Sequence, residues 1–210
     1  MENPLIIFGA KGLAKPALEI FRSHQVTVYG FLDDDSTLHQ QSIDEIPILG
    51  DTDDEGFLKL IGRKCEAFVA LEERKVRQKI VEMLIERRKV MPVNAIHAKA
   101  YLATSASIGH GNMLDAHVFL NSHVQLGSHC IIQAGALIDY ESHIEDFVHI
   151  GLGARIGSQV HIEEGAFIGA GTTIVSGLRI GKNARIGAGS VVIQSVDKNS
   201  TVFGVPAQKV

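Results

Sequence analysis

The 210-residue chain has no tryptophan, two cysteines, and no lysine or arginine block that stands out. Each shortage excludes something. Cys65 and Cys130 are too few and too far apart to read as a disulfide framework, so the cytoplasm is the expected compartment. Twenty Lys and Arg against 24 Asp and Glu leave a formal charge of −4. Phosphate-backbone binding needs concentrated positive charge, so nucleic acid is not an expected partner. No apolar run approaches the ~20 residues of a membrane span, so no membrane insertion is expected. The opening "MENPLIIFGAKG" has neither a basic n-region nor a long apolar stretch, and does not read as a secretory leader. What is present is a chain 45% apolar and 21% charged, which is the composition of a folded protein. Its length suits one large domain or two small ones.

The chain changes character near residue 100. Before it, short apolar runs alternate with amphipathic segments. "LIIF" (5–8), "VTVYGFL" (26–32) and "AFVAL" (67–71) read as strands. "LAKPALEIFRSH" (13–24), "FLKLIG" (57–62) and "RKVRQKIVEMLIERRK" (74–89) read as helices. Pro16 is tolerated only in a first helical turn. The last helix places Val76, Ile80, Met83 and Leu84 on its apolar face. Strands alternating with helices predict a small parallel sheet with crossover helices.

From Leu102 the beat is six. Every sixth residue through Val192 is aliphatic, sixteen in succession: the run includes Ile138, Ile144, Ile150, Ile168 and Ile186. The residue four later is usually small or β-branched, and Gly often follows the aliphatic residue directly, as at Gly151 and Gly169. A helix of period 3.6 cannot hold this beat. A hexapeptide repeat coiling as a parallel β-helix does. Three hexads make one triangular coil, so about five coils should stack ~4.8 Å apart. The aliphatic residues fill the prism, and Gly or Asn helps turn the corners.

Motifs along the whole chain resemble one branch of the hexapeptide acyltransferases. These are "FGAKG" (8–12), "GFLDDD" (30–35), "PILGD" (47–51), "HIGLGARIGSQVHI" (149–162), "GAFIGAGTTI" (165–174), "IGKNARIGAGSVV" (180–192) and "VFGVPAQKV" (202–210). The branch is that of bacterial nucleotide-amino-sugar N-acetyltransferases and related sialic acid O-acetyltransferases. The resemblance implies an α/β N-terminal domain, a small Rossmann-like parallel sheet over residues 1–97 that binds a nucleotide sugar. It implies an all-β left-handed parallel β-helix over 98–210 that carries acetyl transfer. It also implies a homotrimer with acetyl-CoA as co-substrate in the groove between neighbouring β-helices, and no metal.

In the N-terminal half, "GAKG" between a strand and a helix suits a phosphate or carbonyl oxygen. It is not a G-x-G-x-x-G, because Lys11 and Ala14 stand at the second and third glycine positions. No second βαβαβ half follows, which disfavours dinucleotide redox chemistry. Asp33 and Asp34 end the second strand and read either as ribose or base acceptors or as a solvated turn. The resemblance makes Lys11, Gly12, Leu13, Asp33 and Asp34 substrate contacts. It also exposes a departure: Glu72 stands where the family has glycine, and its charge is unfavourable beside a diphosphate.

Acetyl transfer from a thioester needs a free lone pair on the acceptor, a donor for the carbonyl oxygen and a proton acceptor. The family's base is a histidine followed by an acidic residue. That slot holds Tyr140 and Glu141 here, and a phenol of pKa ~10 is a poor base at neutral pH. The catalytic candidates are therefore Tyr140, Glu141 and His143, with Glu141–His123 as a pair on adjacent coils. His149 matches the family's second histidine, which contacts acetyl-CoA, and Ala170 and Ala188 match contacts to the pantetheine arm. His110, His117, His129 and His161 read as corner or surface residues. His117, His123 and His129 fall on different faces and cannot converge on a metal within one chain. The expected activity is acetyl-CoA-dependent N-acetylation of a nucleotide-linked 4-amino sugar for surface glycan or lipopolysaccharide synthesis. The alternatives are a sialic-acid-type O-acetyltransferase and a catalytically silent trimeric sugar-binding homologue.

Overall fold

Leu5, Ile6, Ile7 and Phe8 are wholly buried, and this run is the middle of a sheet. The computed structural model describes residues 3–210 and divides the chain into two compact units, the first ending at Ala98 and the second running Lys99–Val210. The strands of the first unit are β1 (Leu5–Phe8), β2 (Val28–Leu32), β3 (Ser42–Ile43), β4 (Ile46–Gly50) and β5 (Glu66–Val69). They lie in the order β3-β4-β2-β1-β5. β4, β2, β1 and β5 are parallel, and β3 folds back antiparallel on β4. The helices are α1 (Ala14–Ser23), α2 (Glu55–Leu58) and α3 (Arg74–Arg88). This is a small Rossmann-like parallel sheet.

Pro16 does sit in the first turn of α1, whose Ala14, Ala17, Leu18, Ile20 and Phe21 are buried. Three local readings need correction. The hairpin β3–β4 escapes the sequence pattern, because β3 is two residues long and Pro47 interrupts the apolar alternation of β4. The short helix runs Glu55–Leu58 rather than over 57–62, because Asp54 caps it and Ile61 instead bridges to Cys65. The face of α3 is also rotated. Arg77, Ile80, Val81 and Leu84 are its buried residues, whereas Val76 is exposed and Met83 only half-buried. The cause is Arg77, which turns inward to bond the carbonyls of Leu71 and Glu72 at 2.6 and 3.1 Å.

In the second unit each predicted hexad is one two-residue strand, from Tyr101–Leu102 to Val191–Val192. Strands eighteen residues apart pair in parallel, so Gln125, His143, His161 and Arg179 form one ladder and Ile131, His149, Phe167 and Arg185 another. The aliphatic residues from Leu114 to Val192 fill the prism at 4% exposure or less. Leu102 and Ile108, in the terminal coil, are only half-buried. Two free cysteines are both buried, Cys130 among the prism residues.

The glycines directly after the aliphatic residues do not turn the corners. A Cβ on Gly151 would lie 2.6 Å from the Ala170 nitrogen, and one on Gly169 would lie 2.5 Å from that of Ala188. These positions need glycine because the next coil's backbone passes against them. The left-handed residue of each turn comes two places later. Gly153 and Gly171 fill it in some coils, and His117, His123, His129, Glu141, Gln159 and Asn183 in others. After the last coil, Thr201–Gly204 joins the sheet and pairs antiparallel with Ala207–Lys209.

Candidate functional site

The glycine loop of the first unit runs from β1 into α1. Gly9 has φ +96°, and a Cβ there would meet Leu71 at 2.8 Å. The Ala10 amide donates to Asp33 at 2.7 Å, and the other Asp33 oxygen accepts from the Asp35 amide at 2.9 Å. Asp34 is fastened to Thr52, accepting from its amide and hydroxyl at 2.8 and 2.7 Å. Both carboxylates thus hold the loops that frame the site. The amides of Lys11, Gly12 and Leu13 have no acceptor among the described residues, and they lead into the N-terminus of α1. Three unused donors at a helix N-terminus make a cradle for an oxyanion.

Two charged groups stand at this loop. Lys11 is paired with Asp35 at 2.5 Å. That hydrogen bond raises the Lys11 pKa, and together with Thr37 it holds Asp35 at about 2. Glu72, flagged by its departure from the family, does lean over the loop: a Cβ on Gly12 would lie 2.6 Å from its Oε1. A carboxylate therefore stands beside the cradle.

In the second unit, Asp139, Tyr140, Glu141 and Ser142 form one corner of the prism, between the strands Leu137–Ile138 and His143–Ile144. Tyr140 is 45% exposed, and its amide is held by Asp139 Oδ1 at 2.9 Å. Glu141 turns toward the following coil, where its Oε2 accepts from Gln159 at 2.8 Å. Gln159, rather than His123, is therefore its partner. His143 stands outward on the next strand, its Nδ1 3.2 Å from Gln125 Oε1. His161 stacks in register one coil on, its ring 5.0 Å from that of His143 and edge-on to it.

His161 is more than the surface residue expected. Its Nε2 lies 2.8 Å from Glu145 Oε1, and Glu145 Oε2 accepts from the Glu164 amide at 2.9 Å. Burial pushes the Glu145 pKa up, but the Glu164 amide and His161 outweigh it, and the net shift is downward. The sequence signal for this pair was the i, i+16 spacing, which the eighteen-residue coil brings together.

His149 lies on a different strand face, half-buried against Phe167 with ring centroids 5.0 Å apart, and Arg185 covers Phe167 at 4.7 Å. Ala170 and Ala188 are exposed, one above the other on the corner after that face, joined by Gly189 N–H to Ala170 O at 2.8 Å. Neither alanine amide has an acceptor among the described residues. One chain thus brings Tyr140, Glu141 and His143 together at one corner. His149, Ala170 and Ala188 gather at another. The strand ladder of Phe119, Leu137, Arg155 and Thr173 separates the two, and bears a hollow of about 330 Å³ lined by these residues.

Residues 4–84 match the family described as the PglD N-terminal domain, and residues 159–194 match the bacterial transferase hexapeptide, six repeats. No curated protein sequence matches the chain closely enough to count as a relative. Among solved structures, a mutant of GDP-perosamine N-acetyltransferase from Caulobacter crescentus, in complex with CoA and GDP-perosamine, superposes with a TM-score of 0.91. It is 28% identical, over 100% of this chain and 98% of that one. The acetyltransferase domain of PglB from Neisseria gonorrhoeae, in complex with acetyl coenzyme A, gives 0.90 at 25% identity, over 99% of each chain. WeeI from Acinetobacter baumannii gives 0.88 at 26%, again over 99% of each.

Proposed function

We infer that this chain, a hexapeptide-repeat acyltransferase with a left-handed β-helix behind a PglD-type N-terminal domain, moves an acetyl group from acetyl-CoA to the amine of a nucleotide-linked amino sugar. The carrying observation is the end-to-end superposition on an N-acetyltransferase that holds both CoA and a GDP-amino sugar. The chain's own chemistry agrees. A cradle of free amides suits a nucleoside diphosphate, and the outward Ala170 and Ala188 amides suit the amide groups of a pantetheine arm.

We assign the first unit to the nucleotide sugar, with Lys11, Gly12 and Leu13 as direct contacts and Asp33 and Asp34 as the residues that shape the site. The second unit carries transfer, with His149, Ala170 and Ala188 on acetyl-CoA. The two half-sites occupy different corners of one prism, so a groove that joins them needs a second copy. A homotrimer supplies that groove, and the exposed Leu137 beside the hollow on the intervening ladder suits such packing. The product fits the assembly of surface glycans such as lipopolysaccharide, made from activated sugars in the cytoplasm. Among the described residues no helix is long and apolar enough to cross a membrane.

The sugar amine attacks the thioester carbon, a C–N bond forms, the C–S bond breaks, and CoA leaves as a thiolate that takes up a proton. A neutral amine already has its lone pair free, so its proton can leave after attack. Tyr140, 45% exposed, is open to donate a hydrogen bond or hold a water. His143 is the better acceptor: Gln125 fixes Nδ1 as the protonated nitrogen, leaving the Nε2 lone pair. Glu141 is already engaged by Gln159. Purified protein with acetyl-CoA and a panel of UDP-, GDP- and dTDP-amino sugars should release free thiol with at least one. Release with free nonulosonic acids instead would support O-acetylation, and release with none would remove the enzyme reading.

Glu72 gives a second test. Its carboxylate beside the Gly12 amide opposes a diphosphate, so Glu72→Gly should tighten binding of a nucleoside diphosphate about tenfold, measured by calorimetry. Unchanged affinity would place the diphosphate away from this loop.

A further inference from the structure

The ladder beside the Tyr140 corner holds a donor set of which the acetyl-transfer reading uses only His143. One ligand atom from each of His143, Glu145 and His161 lies within 4.8 Å of the others. We propose that these three side chains bind a divalent transition-metal ion of the zinc class, bridging two adjacent coils. Two imidazoles and a carboxylate are a donor set for zinc-like ions, whereas magnesium and calcium prefer all-oxygen sites.

The fold fixes the donors. His143 and His161 are register partners in one parallel ladder, and Glu145 opens the corner two residues after His143. Two of the three, His143 and Glu145, are also held from behind, as metal ligands are. Gln125 Oε1 accepts from His143 Nδ1 at 3.2 Å, which sets the tautomer and leaves Nε2 as a lone-pair donor. The Glu164 amide pins Glu145 Oε2 at 2.9 Å and leaves Oε1 facing His161. That oxygen lies 2.8 Å from His161 Nε2, close to the edge length between two ligands of one small ion.

The surrounding charges favour a cation. A cavity of about 230 Å³ is lined by His143, Glu145, Asp146 and Glu164, with room for waters to complete the shell. The nearby cations are committed elsewhere: Lys182 pairs with Glu164 at 2.6 Å, and Arg179, next above His161 in the ladder, pairs with Glu163. Asp146 is tied to the Ser128 amide at 2.7 Å. Of the carboxylates lining this cavity, Glu145 is the one that faces a histidine. The ion takes the Glu145 Oε1 and His161 Nε2 that now face each other. It also takes the His143 lone pair proposed above as proton acceptor, so it inhibits transfer. The binding itself does not rest on the acetyltransferase reading.

The test uses the full chain, freed of any histidine tag and dialysed against chelator. Calorimetry with Zn²⁺ should give one ion per chain at micromolar affinity, and Co²⁺ should give a visible d–d spectrum. His161→Ala and Glu145→Gln, each confirmed folded by circular dichroism, should weaken Zn²⁺ at least about tenfold. His110→Ala, on the same corner but two coils away from Asp146, should leave it unchanged. Wild-type affinity in both ligand variants, or no stoichiometric binding by the wild type, would overturn the site.

Discussion

Replacing Arg77 with alanine is expected to destabilise the N-terminal unit by about 3 kcal/mol, one of the largest losses available to a single substitution there. Arg77 is 2% exposed, yet it is charged. Its guanidinium donates to Leu71 O and Glu72 O, just ahead of the Glu73 cap of α3. Hydrogen bonds from a charged donor contribute about 1.5–3 kcal/mol each, though the Glu72 carbonyl, on an exposed residue, is partly compensated by water once released. The segment it pins also roofs the glycine loop, through Leu71 over Gly9 and Glu72 over Gly12. Arg77→Ala should therefore lower the first unit's denaturation midpoint and loosen the nucleotide site, while the β-helix transition stays in place. Arg77→Met keeps the apolar stem and isolates the hydrogen bonds, so it should recover about a third of the loss. A midpoint within error of wild type would show that the carbonyls are satisfied without it.

Arg77 also shows where sequence reading stops. A helix pattern is read from apolar residues, so α3 was assigned the face of Val76, Ile80, Met83 and Leu84. A buried arginine is invisible to that rule, because what draws it inward is a pair of carbonyls at the end of a loop. The β-helix was the opposite case. Its beat comes from a steric requirement repeated in every coil, and each repeat is an independent statement of the same geometry. Even there the role of glycine was misplaced. Sequence shows that Gly151 and Gly169 recur, but only the stacked coil shows that the backbone of Ala170 and Ala188 passes within 2.6 Å of where a Cβ would stand.

The candidate site was legible in part. An eighteen-residue coil stacks His143 with Gln125 and His161 by arithmetic, and the structure has this register. The arithmetic could not choose between contacts at neighbouring offsets. Glu141 was paired with His123 below it, and its carboxylate bonds Gln159 above it. Glu145 was not read as a partner of His161 at all, because it starts a corner and reaches diagonally. In the first unit Asp33 and Asp34 were read either as ligand acceptors or as a solvated turn; their carboxylates accept from Ala10, Asp35 and Thr52, and it is Asp35 that meets Lys11.

Tyr140→His is expected to raise transfer to a hydroxyl acceptor about a hundredfold while changing transfer to the amine less than about tenfold. A positioned general base contributes about 10²–10⁴ to steps that need one. A hydroxyl must lose its proton as it attacks, so an imidazole of pKa near ~6.5 at this corner supplies what the phenol cannot. A neutral amine attacks first and sheds its proton to His143 or water, so it gains little. The corner can take the change: Tyr140 is 45% exposed, and its backbone is held by Asp139, not by its ring. The new activity toward the hydroxyl acceptor should rise with pH through the imidazole range. Tyr140→Phe serves as the control. Loss of one hydrogen-bond donor should cost the amine reaction about tenfold, and should not mimic histidine. An equal, large gain for both acceptors would mean that the wild type lacks any proton acceptor. Turnover appearing only in Tyr140→His, with none in the wild type, would make this chain a silent sugar-binding homologue with a repairable site.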